Sequence, residues 1–128
     1  IQGLFGTYEV IWDYRYLFRD SFEKIEQKNP ILFAKINKIN KSIDQWLEES
    51  VIHARKLGIL IINDSEIENI LEISLIIGRY WFDFSKKRYS NESNEYLRKK
   101  GLNLLIKSFY PYLSRDSKDL INSIFKSV

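Results

Sequence analysis

IENILEISLIIGRYWFDFS, residues Ile67–Ser85, is the stretch that decides the fold. At about 100° per residue, Ile67, Leu71, Ser74, Leu75, Gly78, Phe82 and Ser85 fall on one side of a helix. Ile70, Ile73, Ile77, Tyr80, Trp81 and Phe84 fall on another. Glu72, Arg79 and Asp83, with Ile76 beside them, leave only a narrow polar strip. A surface helix of a small domain needs one apolar stripe. The second face, built from Ser74, Leu75 and Gly78, is surplus to that need. Its small residues suit the close approach of a second chain. The alternative is a central helix buried on all sides by its own domain.

The neighbouring segments are helical as well. Tyr8, Ile11, Trp12, Phe18, Phe22 and Ile25 recur at three- and four-residue steps and predict a first helix over Leu4–Lys28. Asn29-Pro30 pairs a good N-cap with a good first helical residue, so a second helix starts there. Its stripe is Leu32, Phe33, Ile36, Ile39, Ile43, Trp46, Leu47, Val51 and Ala54, and Gly58 stops it after Leu57. Ile59–Ile62 is a short tucked connector. Asp64-Ser65 opens the third helix, with Ser65 and Glu68 at capping-box spacing. Lys86-Lys87-Arg88 suits its negative end.

A fourth helix is expected from about Glu92 to Tyr110, ended by Pro111. Leu97, Gly101, Leu102, Leu104, Leu105, Ile106, Ser108 and Phe109 cover about half its circumference. Ser114 caps a short last helix over Lys118–Lys126. The expected fold is therefore all-α: a bundle of four long helices plus a short C-terminal helix, forming a single domain over residues 1–128. The surplus faces place Leu71, Ser74, Leu75, Gly78, Phe82, Gly101, Leu105 and Ser108 at the interface of a homodimer, as a four-helix bundle across a two-fold axis.

Composition narrows the chemistry. The chain has 128 residues, 45% hydrophobic and 15% aromatic, which suits a globular domain rather than a disordered one. There is no cysteine, which excludes disulfides, zinc–thiolate clusters and thiol catalysis and is compatible with a reducing cytoplasm. No apolar run reaches the length of a membrane span. The first residue is Ile, inside a helical pattern, so the N-terminus of the natural protein is expected upstream. A net charge of +3 is mild, and the lysines are spread over solvated faces and helix ends.

Catalytic groupings are scarce. His53 is the one histidine, with Glu49 four residues before it; a surface pair or a solvated side chain suits them better than a metal site. No glycine-rich phosphate loop or nucleophile elbow occurs. No enzyme activity, metal or cofactor is expected. A ligand pocket is the remaining candidate, because aromatics are interleaved with polar handles around Trp12–Asp20 and Tyr80–Phe84. Trp12, Tyr16, Trp46, Tyr80, Trp81 and Phe84 would wall it, with Arg19 or Arg79 as polar anchor. Inward arginines are costly unless paired, and Asp20 and Asp83 are the internal candidates. The effector expected is a flat or elongated apolar molecule with one acidic or polar end. Aromatics that simply fill the core, with their charges paired, are the competing reading.

The layout resembles the C-terminal regulatory domain of TetR-type bacterial transcriptional regulators. The resemblance rests on Tyr14-Arg15-Tyr16-Leu17-Phe18-Arg19-Asp20, then Asn29-Pro30, Leu57-Gly58-Ile59-Leu60, Trp81-Phe82-Asp83-Phe84 and Pro111-Tyr112-Leu113-Ser114. It implies a cytoplasmic protein whose N-terminal helix-turn-helix domain binds operator DNA. It further implies that the C-terminal domain dimerises through its last two long helices and holds an unidentified small-molecule effector between the others. No helix-turn-helix pattern precedes Tyr8, so DNA is expected to be a partner only through an upstream domain. A stand-alone helical protein–protein interaction module is the alternative function.

Overall fold

A computed structural model describes residues 2–13 and 26–126. The named α-helices among the described residues are α1 (Gln2–Asp13), α2 (Pro30–Lys56), α3 (Asp64–Arg88), α4 (Asn94–Phe109) and α5 (Arg115–Lys126). A single 3₁₀ turn, Tyr110–Tyr112, joins the last two. Among the described residues there is no strand, and the all-α expectation holds. The first helix, expected over Leu4–Lys28, is seen as α1 and as helical residues 26–28; residues 14–25 lie outside the described residues.

The helix ends follow local chemistry. The Asn29 side chain accepts a hydrogen bond from the Leu32 amide at 3.1 Å, and Pro30 gives up no useful donor at the first position. Gly58, at φ 75°, turns the chain after α2 in the left-handed region that side chains avoid. The cap of α3 differs from expectation. Asn63, not Ser65, is the N-cap: its Oδ1 accepts from the Glu66 amide at 2.9 Å, and the Glu66 carboxylate accepts from the Asn63 amide at 3.0 Å. Asparagine caps as well as serine does, so the same reciprocal box forms two residues earlier. Ser65 donates its hydroxyl to Asn63 instead. The Ile59–Ile62 connector is tucked as expected. Leu60 and Ile62 are buried, and Leu60 bridges to Leu113, so the connector is tied to the chain that follows the 3₁₀ turn.

The centre of the molecule is the α3–α4 pair, which α1 closes. Leu97, Gly101, Leu105, Ile106 and Phe109 of α4 are buried, as are Ile67, Ile70, Ser74, Trp81, Phe82 and Ser85 of α3. The Trp81 indole N–H donates to the Leu97 carbonyl at 2.7 Å, which satisfies a carbonyl inside the packed pair. Tyr8 and Trp12 bring α1 onto the same site. Their rings lie 6.4 Å apart, and Trp12 meets Phe82 edge-on at 5.2 Å. Gly101 is where the three helices come closest. A Cβ there would stand 2.3 Å from both the Trp81 ring and the Tyr8 hydroxyl.

The residues expected at a dimer interface divide into two groups. Ser74, Phe82, Gly101 and Leu105 are buried by their own chain. Leu71 and Leu75 pack against the core, and Gly78 and Ser108 are half-buried. Within the chain, Ser74 of α3 and Gly101 of α4 are buried in the core that the two helices share. The side of α3 left open is the other one.

A polar clamp holds α1 to α4. The Tyr8 hydroxyl donates to the Arg98 carbonyl at 2.9 Å, and the Glu9 carboxylate pairs with the Arg98 guanidinium. Arg98 also holds Glu95 of its own helix, at 2.7 and 2.9 Å. Its hydrogen bond keeps the Glu95 carboxyl below the usual carboxylate range. Burial pushes the Tyr8 phenol well above its ordinary value.

Two expected outcomes follow from this packing. Gly101→Ala gains about 1 kcal/mol of helix propensity but overpacks the junction at a cost of about 1–3 kcal/mol or more. Urea denaturation should therefore show a net loss, whereas Gly6→Ala, with nothing within 4 Å of the new Cβ, should be neutral or stabilising. The second outcome concerns alkaline pH. The folded chain keeps the Tyr8 proton after an unfolded chain has lost it, so this group's stabilisation is complete below about pH 10 and lost as pH rises further. Tyr8→Phe should be less stable at neutral pH by about 1 kcal/mol. It should also show a shallower alkaline decline, and parallel declines for the two proteins would contradict the assignment.

Candidate functional site

A groove of about 490 Å³ opens between α1 and α2. Gly6 and Val10, one helical turn apart, line it from α1. Lys38, Ile39, Ser42, Ile43 and Trp46 line it from α2. The three- and four-residue steps on α2 put these side chains on one stripe, adjacent to the stripe of Ile36, Leu47 and Val51 that enters the core. The walls are apolar, and Val10, Ile39 and Trp46 are all exposed. Ser42 donates its hydroxyl to the Lys38 carbonyl at 3.0 Å, so the helix backbone occupies that donor.

Among the expected pocket residues, Trp46 lines this groove. Trp12 and Trp81 do not; both are buried in the α1–α3–α4 junction. Tyr80 and Phe84 are about half exposed, and the Phe84 ring lies 5.9 Å from that of Trp81. Tyr16, Arg19 and Asp20 lie outside the described residues.

Arg79 is not a free anchor. Its guanidinium pairs with Asp44 of α2 and donates to the Asn40 carbonyl at 3.3 Å, which ties α3 to α2. Asp83, expected as its partner, takes Lys87 at 3.0 Å. An acid four residues before a lysine is the favoured helical order, and it leaves the longer Arg79 side chain to reach the neighbouring helix. Asn40 Oδ1 is buried here with no hydrogen-bond partner.

The remaining polar groups are unremarkable chemically. Glu49 accepts from Gln45 at 2.9 Å, and His53 is exposed. Among the described residues no His, Cys, Asp or Glu group could hold a metal ion. No helix of the described residues is long and apolar enough to cross a membrane.

A second surface lies on the outside of α3. Ile73, Ile76, Tyr80 and Phe84 are 45%, 59%, 50% and 54% exposed, and their spacing places them on one side of the helix. Tyr96 and Leu104 of α4 are exposed as well. Sequence reasoning named Tyr80 and Phe84, but as pocket walls. It named Ile39 and Ile43 as part of the apolar stripe of α2. Lys38 was read as solvated surface. Periodicity signals each group; it carries no mark of which stripe meets solvent.

No match was found among curated proteins or among solved structures. A family model described as TetR, bacterial transcriptional repressor, matches residues 2–121. That match spans α1 to α5, the same helices that build the groove, the clamp and the open face, and the chain belongs to the TetR family of bacterial transcriptional repressors.

Proposed function

We propose that this chain is the regulatory domain of a cytoplasmic TetR-type repressor. It pairs two copies and senses a small-molecule effector, and the effector controls DNA binding by a helix-turn-helix domain upstream. The outer face of α3 is the observation that carries this reading. Large apolar side chains at positions 73, 76, 80 and 84 stand about half exposed in one stripe. Contiguous apolar surface of this kind marks an interaction site in a soluble protein. A second copy related by a two-fold axis would bury the same stripe on both partners and bring Leu104 with it. The groove between α1 and α2 supports the sensing half, since its size and apolar lining suit a small molecule. Helices α1 and α2 both pack on α3, so a ligand seated between them acts on the helix that would carry the dimer contact.

The pairing is checked by light scattering. The wild-type chain should be a dimer at tens of micromolar, and Ile76→Arg or Tyr80→Glu should give monomers of unchanged helix content. A monomeric wild type would remove the dimer from the proposal. The DNA side is checked by titration with duplex DNA. This chain should bind it weakly and lose it as salt rises, as unspecific phosphate contacts do. Sequence-specific binding that survives physiological salt would overturn the division of labour between the two domains.

A further inference from the structure

The groove between α1 and α2 is apolar except at one edge. Among the described residues that line it, Lys38 is the charged one. Among the described residues no carboxylate is within ion-pair distance of its ammonium. Of the described acids on the two helices, Glu9 pairs with Arg98, Asp44 pairs with Arg79 and Glu49 accepts from Gln45, while Asp13 and Glu48 are exposed; none of them forms an ion pair with Lys38. Arg79, which reaches α2 from α3, is paired with Asp44. Among the described residues that line the groove, positive charge stands at Lys38 without an ion-pair partner, beside exposed hydrocarbon.

We propose that the groove takes an apolar carboxylate. Its hydrocarbon body lies on Val10, Ile39, Ile43 and Trp46, and its carboxylate meets the Lys38 ammonium at the rim. The proposal rests on the effector-sensing reading above and names the chemical class that such an effector has. A lysine suits the position physically. Its methylene stem covers apolar wall while its head stays at the water's edge. A rim ion pair is weak while both charges are hydrated, and it strengthens as the ligand's own body excludes water from one side. A primary amine of the same tail meets like charge, and an alcohol gains no ion pair. Gly6 lines the α1 wall, and a Cβ there would meet nothing within 4 Å.

Tryptophan emission tests this directly. Trp12 and Trp81 are buried in the core, whereas Trp46 is exposed in the groove. Octanoate, 1-octanol and octylamine, each below its aggregation threshold, are titrated against the chain. Octanoate should change the emission with an affinity about fivefold above that of 1-octanol, and octylamine should bind more weakly than either. Lys38→Gln should bring octanoate and 1-octanol to equal affinity with helix content unchanged. Trp46→Phe should abolish the emission change. Equal affinities in the wild type, or a preference for octanoate that survives in Lys38→Gln, would overturn the carboxylate assignment and leave a sensing groove intact. No emission change with any of the three probes, or a change that persists in Trp46→Phe, would overturn the groove as the site, and with it the groove's support for sensing.

Discussion

The approach of α1, α3 and α4 at Gly101 is the constraint from which the rest of the structure follows. Trp81 and Tyr8 occupy the space where a side chain at position 101 would stand. The same two residues send their polar atoms to the neighbouring carbonyls of Leu97 and Arg98. Large aromatic area is buried there without leaving an indole N–H or a phenol unpaired, which is the condition under which Trp and Tyr enter a core. Glu9 and Arg98 then fix the rotation of α1 about the junction. Glu95 shares Arg98, so the guanidinium keeps a carboxylate partner even when α1 moves away. An ion pair of that design holds position without stranding a half-buried charge when it opens.

Spending the small-residue side of α3 on this junction determines what is left over. Ser74, Phe82 and Ser85 face inward with Trp81. A helix that buries this arc turns the opposite arc to solvent, and here that arc holds Ile73, Ile76, Tyr80 and Phe84. The surplus of apolar surface expected from the sequence is present, on the other side of the helix. Small residues permit close approach, but they do not say whether the approaching helix belongs to the same chain.

The elements themselves were legible because punctuation in this chain is strong. Asn29-Pro30, Gly58, the basic run at 86–88 and Pro111 each mark a boundary by a local mechanism that needs no tertiary context. The shift of the α3 cap from Ser65 to Asn63 shows the resolution of that signal: two equally good cappers stand two residues apart, and the hydrogen bonds of Glu66 decide between them. The site was less legible, for a different reason. Helical periodicity assigns residues to a stripe but does not orient the stripe. Trp12 and Trp81 read as pocket walls and are core, while Ile39 and Ile43 share one apolar stripe with Leu47 and Val51 in the sequence and line the groove instead of entering the core with them. Arg79 is offered by spacing as a ligand anchor, with Asp83 as an internal partner within its own helix. It pairs across helices, and such a choice depends on where α2 lies, which no spacing in the sequence encodes.

The placement of charges on α2 ties the groove to the open face. Asp44 holds Arg79 on one side of α2, and Lys38 stands on the groove side. Arg79 lies between Ile76 and Tyr80 along α3, and Phe82 between Tyr80 and Phe84. So the residues that hold α2 and α1 onto α3, Arg79 and Phe82, are interleaved with those that face outward. On the proposed reading, a ligand that alters the spacing of α1 and α2 loads these two contacts, and α3 passes the displacement to the stripe on its far side. The helix is packed along its whole inner arc, so it moves as a unit rather than bending at one residue. Tight binding alone would accomplish nothing there. The ligand shifts the dimer between two geometries only to the extent that the groove of one geometry holds it better than the groove of the other.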